Sequence, residues 1–138
     1  MAAYTQSGAA QYRAVRSHGL VADASPTRLV QIMFEQILAH LAAARGAMGR
    51  IENNRPVNEV VSKGRALSKA MALINQLNGT LDMERGGEVA VNLRSLYDYM
   101  VQRLTLANAT NDARIAEEVA SLLGEIKSGW DQIVTGSR

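Results

Sequence analysis

The stretch SPTRLVQIMFEQILAHLAAARGAMGRI, residues 25–51, decides the fold. Ser25 is a good helix N-cap, and Pro26 at the first helical position gives up no hydrogen bond. From there Val30, Phe34, Ile37, Leu41, Ala44, Met48 and Ile51 recur in steps of four and three, which lays one apolar stripe along a helix. The spacing predicts a helix about 40 Å long. It should fade at Asn53-Asn54-Arg55, just before Pro56.

Three more segments follow the same logic. A second helix is expected from near Pro56, with Val60, Gly64, Leu67, Met71, Ile74 and Leu81 inside and Asn78 as a polar interruption. The run Asp82-Met83-Glu84-Arg85-Gly86-Gly87 is a turn, because paired glycines accept backbone angles that other residues resist. A third helix from about Glu88 to Asn108 carries Val89, Leu93, Leu96, Met100 and Leu104, with Tyr97 and Tyr99 to either side. After a polar break at Asn108–Asp112, where Asn111 or Asp112 can cap, a fourth helix carries Ile115, Val119, Leu122, Ile126, Trp130 and Ile133. Four long amphipathic helices on short loops predict an all-α, antiparallel up-down four-helix bundle spanning residues 25–135. Residues 1–24, sparse in apolar anchors, are expected to form a mobile N-terminal arm with one short helix around Gln11–Ser17.

Composition agrees with that fold. The chain is 47% hydrophobic but 4% aromatic, so its core must come from aliphatic residues, Met and Ala, which suit helix packing. Only two prolines interrupt 138 residues. No cysteine is present, which excludes disulfides and thiolate metal sites. The net charge is +2 and the basic residues are scattered, without the cluster that tracks a phosphate backbone, so nucleic acid is not an expected partner. No apolar run approaches the roughly 20 residues of a membrane span, and no secretory signal opens the chain. Neither membrane insertion nor secretion is expected, which points to a cytoplasmic location.

Catalytic and metal chemistry lack their residues. His18 falls in the arm, and Ile37 stands three before His40, where a di-iron bundle needs Glu. Gly86-Gly87 lacks the remainder of a phosphate loop. Glu117 and Glu118 are helix neighbours pointing about 100° apart, so they cannot share a proton. We expect no enzyme, no cofactor and no metal. An enzyme of the small all-helical type would need charged groups converging inside the bundle, and the inner stripes offer almost none.

Apolar positions remain beyond each inner stripe: Leu29, Ile32, Met33 and Leu38, then Val61, Leu73 and Leu77, then Val91, Val101 and Leu106. Bundle helices often bury a wide face, which accounts for part of this excess. The rest should line grooves between helices, where an amphipathic partner could lie. An arm helix bearing Tyr12 and Val15 would suit such a groove until a partner displaced it.

The chain resembles the flagellar export chaperone family FliS over nearly its whole length. Tyr12 with Val15 resembles the family's Ala-Tyr-x-x-Val segment, and Ser25-Pro26-Thr27-Arg28-Leu29 its Ser-Pro-x-x-Leu helix start. Lys69-Ala70 followed by Leu73-Ile74 resembles its second helix. Most specific is the run from Leu81 to Leu93 through Glu84-Arg85-Gly86-Gly87-Glu88, continued by Leu96-Tyr97-Asp98-Tyr99-Met100, Arg103-Leu104 and Ala107-Asn108. Glu117-Glu118-Val119, Leu122-Leu123 and Trp130 complete it. The chain departs from the pattern at Glu35-Gln36-Ile37, where the family often reads Asp-Gly-Ala.

The resemblance implies a cytoplasmic chaperone that holds the disordered C-terminal tail of flagellin, prevents its premature polymerisation and delivers it to the export gate. It also ties the tyrosine matched by Tyr12 to the arm and to export-gate contact. The groove residues expected on this basis are Tyr12, Val15, Ile32, Leu77, Leu93, Leu96, Tyr97, Met100 and Leu104; for Leu93, Leu96, Met100 and Leu104 the inner core is an equal alternative. Further partner candidates are an export-gate component and a second copy of the chain as a homodimer. The alternative function is a helical-bundle adaptor for another flagellar regulator.

Overall fold

The computed structural model describes residues 25–53 and 57–136. The expected arm, with Tyr12 and Val15, and the junction at Pro56 lie outside the described residues. Four helices follow one another: α1 (Pro26–Glu52), α2 (Val57–Gly79), α3 (Gly87–Thr110) and α4 (Ala113–Gly136). No strand occurs among the described residues.

Local chemistry sets the helix ends. The Ser25 hydroxyl accepts the Arg28 backbone N–H at 3.2 Å, and Pro26 follows it, as the N-cap reading requires. The α1–α2 junction is spanned by an ion pair, Arg50 Nε to Glu59 Oε2 at 2.9 Å. Asn111 ends α3 in the left-handed region at φ 51°, which its short polar side chain tolerates. Asp112 then caps α4, its carboxylate accepting the Arg114 N–H at 3.0 Å.

Each helix packs on two others in a ring, α1 on α2 and α4, and α3 on α2 and α4. Cross-helix bonds fix the directions. Asn78 donates to Asp98 at 2.9 Å while Lys63 donates to the Asn108 carbonyl at 3.0 Å, so rising numbers on α2 meet falling numbers on α3. Thr27 meets Trp130 and Met48 meets Asn111, which makes α1 and α4 antiparallel as well. The architecture is the expected up-down bundle.

Phe34, Ile37, Leu41 and Met48 from α1, Leu67 and Ile74 from α2, Met100 and Leu104 from α3, and Val119 and Leu123 from α4 fill the core with almost no exposure. Each such side chain contributes about 1.5–3 kcal/mol by leaving water. Several inner stripes are rotated from their expected positions. On α2, Val60 is half exposed whereas Ala66, Ala70 and Leu73 are buried. On α3, Val89 is exposed, and Ala90 and Tyr97 are buried instead. On α4, Ile133 is exposed, and Ala116 and Leu123 turn inward. Ala66, Ala70, Ala90 and Ala116 belong to the buried faces, and a count of large apolar residues passes over them. On α1, Leu29 and Met33 are buried beside the expected stripe because the helix meets two neighbours and needs a wider apolar arc.

Candidate functional site

The turn between α2 and α3 shapes one end of the bundle. Asp82 Oδ1 accepts the backbone N–H groups of Glu84 (3.2 Å) and Arg85 (3.1 Å), and the Gly86 N–H donates to the Asp82 carbonyl at 2.8 Å. A Cβ on Gly86 would lie 2.7 Å from that carbonyl oxygen and 2.5 Å from the Ala90 Cβ, so only glycine fits. Gly87 has φ +55°, the left-handed region glycine enters without strain.

This turn closes one wall of an apolar groove of about 230 Å³. Val30 and Phe34 come from the first turns of α1, Leu77 and Leu81 from the end of α2 and its turn, Leu93 and Tyr97 from α3, and Ile126 and Trp130 from α4. All four helices thus contribute where the core opens to solvent. Trp130 is half-buried, and its indole N–H donates to the Thr27 carbonyl at 2.8 Å, which satisfies its polar atom and leaves the ring as groove wall. Beside it, Gln31 donates to Asp131, which Lys127 Nζ also meets at 2.7 Å. Tyr97 is almost fully buried, and that burial pushes its phenol up to about 12.

The nine sequence-derived candidates separate. Leu77, Leu93 and Tyr97 line the groove. Leu96 is half-buried against the core, and Ile32 is half-buried on α1 without lining the groove. Met100 and Leu104 have no exposure and sit inside the core. Tyr12 and Val15 lie outside the described residues. Val30, Phe34, Leu81, Val89, Ile126 and Trp130 line the groove although sequence spacing gave them to the inner stripes. The available signal was the turn chemistry at Ser25-Pro26 and Gly86-Gly87, which marks the end of the bundle where the core runs out.

Polar chemistry gathers elsewhere. On the α3–α4 face, Glu118 accepts from Arg103 Nε and from the Tyr99 hydroxyl, both at 3.0 Å. The Arg103 bond, and then the Tyr99 bond, hold the Glu118 carboxyl below its usual range, while the bond to Glu118 raises the exposed Tyr99 phenol. Glu117 points to solvent and shares none of this. Among the described residues no group of His, Cys, Asp and Glu could hold a metal ion, and no helix is long and apolar enough to cross a membrane. The apolar groove suits capture of apolar side chains.

Residues 8–137 match the family described as flagellar protein FliS. Over 130 residues the chain is 44% identical to flagellar secretion chaperone FliSB of Pseudomonas aeruginosa, covering 94% of this chain and 98% of the relative. It is 44% identical over 131 residues to flagellar secretion chaperone FliS of Salmonella typhimurium, covering 94% and 92%. The likeness to the Bacillus subtilis protein of the same name is 30% over 118 residues, covering 86% and 82%. These relatives are named as chaperones, a class that performs no covalent chemistry. An apolar groove at the end of a helical bundle and a match along almost the whole sequence agree: the chain belongs to the FliS family of flagellar secretion chaperones.

Proposed function

We propose that this chaperone works in the cytoplasm on flagellin, binding its disordered C-terminal region, preventing premature polymerisation and aiding delivery to the flagellar type III export gate. The observation that carries the reading is the groove walled by Val30, Phe34, Leu93, Tyr97 and Trp130, an apolar opening that an ordering segment can fill. A disordered tail that folds on contact buries on the order of 1,000–3,000 Å² and loses several kcal/mol to ordering, so it needs apolar anchor points of this kind. Occupying the tail blocks its pairing with other flagellin copies by competition, without ATP. An export-gate component would then meet the loaded chaperone.

The N-terminal arm is assigned to the same groove as its resident when no tail is bound. Support comes from the place where α1 begins: Thr27 is bonded to Trp130 on the groove wall, so the chain preceding Ser25 joins the bundle beside the opening. Calorimetry with full-length flagellin and with flagellin lacking its tail tests the reading. Binding that vanishes with the tail supports it, and equal binding of both proteins overturns it. Deleting residues 1–24 should raise tail affinity; unchanged affinity removes the arm from the mechanism.

A further inference from the structure

A second cleft runs along the outer seam of α1 and α2, away from the apolar opening. It holds about 500 Å³ and is lined by Gln36, Ala39 and His40 of α1 and by Lys69, Ala72, Leu73 and Gln76 of α2. Its lining is more polar than that of the first groove. Leu73 is its one buried residue, exposed Ala39 and Ala72 flank it, and amides, His40 and Lys69 complete the rims. No lining residue is a carboxylate. Arg65 lies one turn before Lys69 on the same face of α2 and extends the positive edge.

The nearby acids are already committed. Glu35 pairs with Arg28 at 3.4 Å, and Glu59 pairs with Arg50 at 2.9 Å. Lys69 and Arg65 form no ion pair among the described residues. Gln76 keeps a buried amide oxygen with no hydrogen-bond partner there. His40 is held below its usual range, first by burial and then by the charge of Lys69, so near neutral pH it leaves Lys69 and Arg65 as the local charges.

We propose that this seam is a second docking surface, and that it takes a helical segment of a protein partner whose Asp or Glu side chains face Lys69 and Arg65. The small residues Ala39, Ala43 and Ala72 let a third helix approach the two ridges closely. From Lys69 to Gln76 the cleft is about 10 Å long, room for about two helical turns. A helix is favoured over a nucleic acid because the cleft has no aromatic side chain for a base to stack on. This surface is separate from the tail-binding groove, so its failure would leave that reading untouched.

The test uses the full chain and a synthetic helical peptide of Ala and Glu, with an Ala/Gln peptide as its uncharged counterpart. Binding of the Ala/Glu peptide should shift backbone amide resonances in residues 36–46 and 65–76. It should also move the His40 imidazole titration to higher pH, because a carboxylate nearby stabilises imidazolium. Reversing both charges, Arg65→Glu with Lys69→Glu, should weaken binding by about tenfold or more, whereas Arg94→Glu on exposed α3 should leave it unchanged. Both positions on α2 are exposed, and circular dichroism checks that the fold survives. Three results would overturn the proposal: equal binding of the Ala/Gln peptide, an Arg94→Glu loss as large as that of the double variant, or a single-stranded oligonucleotide that binds the seam more tightly than the acidic peptide.

Discussion

The indole nitrogen of Trp130 donates to the backbone oxygen of Thr27 at 2.8 Å, joining the last turns of α4 to the first turn of α1. Trp130 is the only tryptophan, and it stands on the groove wall. Tail binding should therefore shift intrinsic fluorescence to the blue as the indole loses water. Trp130→Phe should lower stability by about 1 kcal/mol, the usual net worth of one hydrogen bond, as read from a urea midpoint. Trp130→Ala should lower it further and weaken tail binding.

Gly86 is the second sensitive point. Its absent Cβ would meet a backbone oxygen and another Cβ, neither of which can swing away. Gly86→Ala should cost about 1–3 kcal/mol, the range typical of forced overpacking. Gly87→Ala, which only forces a left-handed backbone, should cost about 1 kcal/mol. Thermal melts of the two variants would rank them.

Aspartate substitutions distinguish groove from core. Leu93 is partly exposed on the groove wall, so Leu93→Asp should retain helicity and melting while tail affinity falls about tenfold or more. Met100 is wholly buried, so Met100→Asp should destabilise the bundle by more than about 3 kcal/mol, because the new carboxylate would have no partner. A folded Met100→Asp protein that had lost only tail binding would move that residue from core to groove.

Acid should loosen the α3–α4 face. The Glu118 carboxyl is held below its ordinary value of about 4.5 by Arg103 and then Tyr99, so the unfolded chain takes up the proton first. The contribution of Glu118 is complete above that value and is lost as pH falls through the lower, folded one. Because the cluster is exposed, the effect is small and screened by salt. Denaturation midpoints of Glu118→Gln should depend less on pH below about 4.5 than those of the parent chain.

Sequence spacing was enough to read the four helices and their order, because Ser25-Pro26, Gly86-Gly87 and Asn111-Asp112 punctuate the chain by chemistry that acts locally. It was not enough for the inner faces of α2 and α3. Ala66, Ala70 and Ala90 carry too little apolar area to stand out in a periodic pattern, yet all three are buried. The groove was half legible. Leu93 and Tyr97 were expected there, but Phe34 and Trp130 read as core, since a linear pattern does not reveal where a core reaches the end of its bundle. Met100 and Leu104 sit on the same α3 stripe as Leu93, about two and three turns further inside.

Lys63 has a consequence for how α2 and α3 align. Its buried ammonium meets the carbonyl of Asn108 in the closing turn of α3, where the helix dipole is negative. The local stop at Asn111 is thus reinforced by a side chain from the preceding helix, so the end of α3 and the start of α2 hold each other in register.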